Sequence, residues 1–153
     1  MAITWIIAAD DSRARVLQVG RPNEKLIEID NMVNPTARQH ERDLRSDSEP
    51  RFDGHGGVGK PGTSPTGGTA SDRETQGAID HSVQVFARDI ARYLAKARTD
   101  HRYDKLVLVA PPKFLGALRK QLGKNVARMV VEEIPKDVSG LKTHDLTAYF
   151  RRQ

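Results

Sequence analysis

The stretch from residue 34 to residue 77 constrains the fold of this chain more than any other feature. It holds 8 of the 12 glycines and 4 of the 8 prolines. Its apolar residues are few: Ala37, Leu44, Phe52, Val58 and Ala70. Such a segment cannot bury enough surface to offset the entropy that it would lose on ordering. We therefore predict a long mobile loop at about 34–74, between a β-rich first part and an α/β second part.

Short turns organise the residues before this loop. Ile3–Ala9 is almost entirely apolar, which is typical of a strand covered on both faces. The turn Asp10–Arg13 leads to a second strand at 14–19, and a further turn leads to a third strand that ends near Val33. Turns this short join antiparallel neighbours, so this part is predicted to be a β-meander.

Helices and strands alternate after the loop. Apolar residues recur at helical spacing between Thr75 and Arg98, and Lys105–Ala110 is a predicted buried strand. A helix from Pro112 to Gly123, a strand within 126–134 and a terminal helix complete the chain. Helical crossovers make the later strands parallel to each other and to the first. The predicted fold class is α/β, a single domain over 1–153. Its ribonuclease-H-like mixed sheet has the order β-β-β-(long Gly-rich loop)-α-β-α-β-α.

Composition excludes several classes of site. There is no cysteine, hence no thiolate metal site, and no run reaches the roughly 18 apolar residues that a membrane helix needs. The N-terminus starts on a strand-like segment without the features of a secretory signal. We expect a cytoplasmic protein with no membrane insertion.

Motifs for catalysis are weak. Residues 54–60 fit G-x-x-x-x-G-K, but no strand precedes them, and Pro61-Gly62 cannot continue a helix. Asp10 and Asp11 occupy a place where nucleases hold metal ions, yet converging acidic partners are missing and a turn is the better interpretation. The histidines have no metal-ligand spacing. We predict no catalytic residue, metal or cofactor, which favours a protein that is not an enzyme.

The basic excess lies in the last third, where residues 101–153 carry 11 basic and 5 acidic groups. Phosphate contact would use such groups, whereas a solvated basic face is the alternative interpretation. Aromatic residues make up only 5%, so stacking on bases and reading of a DNA sequence are not expected. The candidate residues for contact with RNA or the ribosome are Arg13, Arg15, Gly56, Gly57, Lys60, Lys113, Arg119, Lys120 and Lys124.

Several blocks resemble a bacterial family of host attachment proteins over nearly the whole length. They are residues 8–16, residues 43–47, residues 106–119 with the sequence Ala-Pro-Pro-Lys-Phe-Leu-Gly, and residues 133–137. That family is in turn similar to the middle domain of archaeal and eukaryotic peptide-chain release factors and of pelota. The similarity implies that the glycine-rich stretch 54–77 corresponds to the release-factor loop that carries Gly-Gly-Gln. That tripeptide is absent here, which argues against peptidyl-tRNA hydrolysis.

The sequence leaves several functions open. The leading hypothesis is a non-enzymatic, translation-related domain that contacts RNA or the ribosome through the glycine-rich loop and the C-terminal basic face. One alternative is an enzyme, either similar to a peptidyl-tRNA hydrolase or a nuclease. The other is a host-attachment or protein-interaction factor without nucleic acid.

Overall fold

The computed structural model describes residues 2–21, 24–36 and 64–151, with only the helical backbone for residues 64–75. The strands are β1 (Thr4–Ala9), β2 (Arg13–Gln18), β3 (Ile27–Val33), β4 (Lys105–Val109) and β5 (Val130–Ile134). The helices are α1 (Ser64–Thr99), α2 (Pro112–Gln121), α3 (Lys124–Ala127) and α4 (Thr143–Arg151). Among these residues no helix is long and apolar enough to cross a membrane.

The strands form one five-stranded mixed sheet in the order β3-β2-β1-β4-β5. β1 pairs antiparallel with β2, and β2 pairs antiparallel with β3, because short connections join them. β4 lies parallel to β1 and to β5, because helices form the crossovers between them. The predicted mixed α/β sheet is therefore confirmed.

Two helical features differ from the sequence-based prediction. α1 begins at Ser64 rather than at Thr75, so the predicted loop at 34–74 is wrong for residues 64–74. Apolar periodicity gave no signal there, although Pro65 suits a first helical turn because its missing N–H has no partner to lose. The remainder of that loop, residues 37–63, lies outside the described residues. The short α3 was not predicted, and it follows Gly123 before β5.

α1 ends in a Schellman motif. His101 has a φ of 57°, its N–H donates to the Arg98 carbonyl, and the Arg102 N–H donates to the Ala97 carbonyl. These two bonds satisfy carbonyls that a helix end otherwise leaves open. The chain then reverses into β4, where the Asp104 and Lys105 N–H groups donate to the Ile3 carbonyl.

Apolar side chains cover both faces of the sheet. On one face α1, α2 and α3 pack on the sheet, and Phe86, Ile90 and Leu94, which belong to the apolar residues at helical spacing between Thr75 and Arg98, are buried there. On the other face the main cover is α4, whose Leu146 is buried. That second core consists of Ile6, Ala8, Leu17, Leu26, Val107, Val109, Ile134, Val138 and Leu146. β1 supplies both cores because alternate strand residues point to opposite faces.

Candidate functional site

The parallel strands β1, β4 and β5 end at the same border of the sheet. We call this border the carboxyl edge and define it as residues 10–13, 110–113 and 135–140. In open α/β sheets ligands bind outside the carboxyl ends of the strands, which makes this border the first place to look for a site.

Asp10 closes the turn between β1 and β2. Its Oδ1 accepts hydrogen bonds from the Ser12 N–H at 2.8 Å, the Ser12 hydroxyl at 2.9 Å and the Arg13 N–H at 2.8 Å. The Asp10 N–H donates to the Arg13 carbonyl. Asp10 is thus the turn residue that the sequence predicted.

Ser139 links the loop after β5 to this turn. Its side chain is buried, and its hydroxyl lies 2.7 Å from Asp10 Oδ2 and 3.0 Å from Asp137 Oδ1. A hydroxyl has one proton, so the shorter contact favours donation to Asp10. Asp137 also accepts the Ser139 N–H at 3.3 Å. Ser139 therefore bridges the two carboxylates, with its hydroxyl donating to Asp10 and its N–H donating to Asp137.

This environment lowers the pKa of Asp10. Partial burial by itself raises the pKa, because it disfavours the charged form. The hydrogen bonds from the Ser139 hydroxyl, from the Ser12 and Arg13 backbones and from the Ser12 hydroxyl outweigh burial, and the pKa falls below its ordinary value. Asp10 is consequently held in its ionised form at neutral pH.

Arg15 also binds the loop after β5 that contains Ser139. It is 9% exposed, and its guanidinium donates to the carbonyls of Ser139 and Leu141, to the Thr143 hydroxyl and to the Glu28 carboxylate. The sequence placed Arg15 among the contacts to RNA. The structure instead shows its donors engaged within the fold, where they fix the start of α4.

The predicted basic residues lie in separate places. Arg13 is exposed at the carboxyl edge, where its guanidinium lies against Gly140. Lys113 begins α2 on the face that α1 covers, and its Nζ lies 3.9 Å from Asp80. Both side chains belong to the same border, but they lie on opposite faces of the sheet.

The remaining cations lie at the other end of α2. Arg119 forms a two-pronged ion pair with Glu133 of β5, at 3.1 and 2.7 Å. The hydrogen bond that Arg119 donates lowers the pKa of Glu133. Lys120 and Lys124 are exposed and have no ion-pair partner among the residues that the structure describes. Gly56, Gly57 and Lys60 lie outside those residues.

Comparison with known proteins matches this chain to the family described as "Protein required for attachment to host cells", over residues 5–150. The chain belongs to this host-attachment family. A curated relative is the uncharacterized protein RP470 of Rickettsia prowazekii (strain Madrid E), at 35% identity over 62 residues. The matched segment covers 39% of this chain and 40% of that protein.

Three of the blocks that carry the resemblance to the host-attachment family reach the carboxyl edge. Residues 8–16 contain Asp10, Arg13 and Arg15, residues 106–119 contain the start of α2, and residues 133–137 contain Asp137. The hydrogen bonds that join the first and last of these blocks run through Ser139, which belongs to neither. Ser139 therefore connects the first and the last of these blocks at the carboxyl edge.

Sequence reasoning missed Ser139, Asp137 and Glu133. Ser139 pairs with Asp10, which is 129 residues away along the chain, and Glu133 of β5 pairs with Arg119 of α2. One local signal existed: Asp137-Val138-Ser139 can form a turn in which an Asp side chain accepts the N–H two residues on. Among the described residues, no group of three or more histidines, cysteines, aspartates and glutamates could hold a metal ion.

Two open cavities lie away from the carboxyl edge. One of about 370 Å³ lies near the end of α4, between Ile6, Leu26 and Phe150. The other, of about 330 Å³, lies beside β5, between Leu122, Ala127 and Val131. Both combine an apolar lining with charged side chains at the margin, as binding surfaces for polypeptides often do.

Proposed function

We propose that this protein acts in attachment to host cells as a non-enzymatic protein-interaction factor. The observation that carries the proposal is the family match over residues 5–150, because the description of that family is attachment to host cells. The whole protein's role is taken from the family description and is therefore a proposal for this chain.

The use of the polar groups at the carboxyl edge supports an interaction role. The Asp10 carboxylate, the Ser139 hydroxyl and the Arg15 guanidinium are all engaged by other groups of the chain. Groups held in this way stabilise a loop and a turn, and they present a rigid surface rather than reactive atoms.

A deletion experiment tests the proposal. In the organism that encodes this protein, loss of the gene should reduce the number of cells that attach to host cells, and the wild-type gene should restore it. Beads coated with the purified protein separate a direct from an indirect role, because only a direct role predicts that the beads bind host cells. Unchanged attachment after deletion would contradict the proposal.

Contact with RNA or the ribosome is the second candidate, together with the cytoplasmic location expected from the sequence. The observation in its favour is the exposure of Lys120 in α2 and Lys124 in α3, without ion-pair partners among the described residues. A ribonuclease-H-like and release-factor-like layout is a further proposal, and the order β3-β2-β1-β4-β5 supports it. The family match supports the attachment role more directly.

Binding across a salt series tests the second candidate. RNA affinity should fall with salt at a log–log slope of roughly 0.7 per phosphate contacted on single strands. Lys120→Glu with Lys124→Glu should flatten that slope, whereas Arg13→Glu on the other sheet face should leave it unchanged. The Lys120/Lys124 pair is preferred to Arg119, whose guanidinium is engaged by Glu133. Absence of binding at low salt would exclude RNA contact by this face.

A further inference from the structure

β5 is an outer strand of the sheet in the described part of the chain, and the backbone groups along its outer side are not paired with another strand. It pairs with β4 along one side, and no strand among the described residues pairs with its other side. The N–H and C=O groups on that side can pair with an added strand, which is the reason that proteins usually cover or disrupt such edges.

A bulge in β5 turns an apolar side chain outward on this outer strand. Leu106 is paired with Val130 and Val107 with Glu132, so Val131 is an extra residue in β5. Bulges re-aim side chains, and Val131 is 59% exposed, the highest value among the large exposed apolar residues of the described part. The edge therefore offers an apolar contact as well as backbone groups.

An apolar groove lies next to Val131. This is the cavity of about 330 Å³, which Leu122, Ala127, Val130 and Val131 line together with the charged residues Arg119, Glu132 and Glu133. The Arg119–Glu133 ion pair lies at its margin and compensates the charge of Glu133. The groove can thus take apolar side chains of an added strand without leaving Glu133 unpaired.

Three basic residues are close along the sequence to residues that line the groove. Lys120 follows the lining residue Arg119, Arg128 follows the lining residue Ala127, and Lys124 lies between them. These three side chains are exposed, and none has an ion-pair partner within the described part of the chain. Glu132 also lines the groove, but these three cations outnumber it, so the charge around the groove is complementary to an acidic partner.

We propose that β5 and its groove bind an extended polypeptide segment that has apolar side chains and acidic flanks. This inference rests on the proposed protein-interaction function and names the surface and the chemistry of its partner. The segment adds a strand to β5, places apolar side chains beside Val131 and Leu122, and directs its acidic flanks to Lys120, Lys124 and Arg128. A polypeptide fits better than RNA, because an open strand edge and an apolar groove complement a peptide backbone.

The test uses the full chain and a fluorescent peptide of about eight residues, a usual strand length, that alternates valine and threonine between glutamate flanks. Val131→Ser should weaken binding roughly tenfold, since it removes the apolar contact that the Val131 side chain makes with the peptide. Ile27→Ser is the matched control, because Ile27 is 55% exposed on the opposite edge strand and should leave binding unchanged. Melting curves establish that both variants are folded.

Further probes separate strand addition from charge attraction alone. N-methylation of alternate peptide amides should abolish binding if the backbone pairs with β5. Replacing the glutamates by lysines should weaken binding, and so should Lys120→Glu with Lys124→Glu and Arg128→Glu. The same changes at Lys25, Lys105 and Lys142 are the control, because these lysines are exposed elsewhere. Equal effects of the two triple variants would overturn the proposal.

Other outcomes have defined meanings. Absence of peptide binding, equal binding of the N-methylated peptide, or tighter binding of a single-stranded RNA at the same groove would overturn the proposal. A dimer that Val131→Ser dissociates would overturn it in favour of a second copy of the chain. If gene deletion reduces attachment but Val131→Ser does not, this surface is excluded while the attachment function stands. Peptide binding with unchanged attachment after deletion would support the surface and contradict the function.

Discussion

Arg15 joins parts of the chain that are far apart in sequence. Its guanidinium reaches from β2 to the backbone of the loop before α4 and to Glu28 of β3. A buried arginine satisfied in this way is costly to remove, because its partners keep their polar atoms but lose their donors. Its role is to hold α4 on the second face of the sheet.

Arg15→Met should lower the free energy of unfolding by about 2–4 kcal/mol, because the buried Ser139 carbonyl and the partly buried partners of Arg15 lose their donors. Arg13→Met, at an exposed position two residues away, should change it by no more than about 0.5 kcal/mol. Urea denaturation of both variants measures the difference. Equal stability of the two variants would show that the Arg15 contacts are dispensable.

Asp10 makes stability depend on pH. Its pKa is lowered in the folded protein, so the ionised form stabilises the fold above the ordinary pKa of 3.8. That contribution is lost as the pH falls through the lower folded pKa. Asp10→Asn should therefore destabilise the protein at pH 7 by about 1–2 kcal/mol and much less in strong acid. Denaturation at several pH values measures this trend.

Ser139→Ala tests whether the Ser139 hydroxyl lowers the pKa of Asp10. It removes the hydroxyl that donates to Asp10 Oδ2, so the pKa of Asp10 should rise in an NMR titration. For the Asp10→Asn variant, the control is Asp100→Asn, which removes a carboxylate at an exposed position. An unchanged pKa of Asp10 in Ser139→Ala would assign the shift to the turn alone.

At the scale of elements, α1 depends on one buried stripe. Phe86 is 3% exposed, and its ring centre lies 6.0 Å from that of Phe114 in α2. Phe86→Ala should reduce the free energy of unfolding by about 3–5 kcal/mol, because it removes apolar contact and leaves a cavity. Gln84→Ala, exposed on the same helix, should have little effect. Thermal or urea unfolding distinguishes the two.

The end of α1 offers a stabilising change. His101 adopts a φ of 57°, a region that glycine enters without a steric penalty. His101→Gly should therefore raise the free energy of unfolding by about 0.5–1 kcal/mol. His81→Gly, the same substitution inside the helix, should lower it by about 1 kcal/mol. A lower melting temperature for His101→Gly would contradict the argument.

At the scale of the whole molecule, the sheet is most stable at its centre. β1 is paired on both sides, and Trp5 to Ala9 are all buried, whereas β3 is an edge strand with mostly exposed residues. Hydrogen exchange should therefore be slowest in β1 and β4 and faster in β3 and β5. Mass-spectrometric exchange measures this order, and equal protection of β3 and β1 would contradict it.

Local patterns in the sequence were sufficient for the strands, the mixed sheet, the turn at Asp10 and the buried stripe of α1. Periodicity, short turns and helical crossovers act over a few residues and can be read directly. The start of α1 at Ser64 was not predicted, because the glycine and polar residues there show no apolar periodicity. Only the tertiary structure decided that Arg15 is internal, that Ser139 joins Asp10 to Asp137 and that Arg119 pairs with Glu133. Apart from the local contact between Ser139 and Asp137, those contacts join different helices, strands and loops, so the proximity of their residues depends on how these elements pack and not on any local spacing.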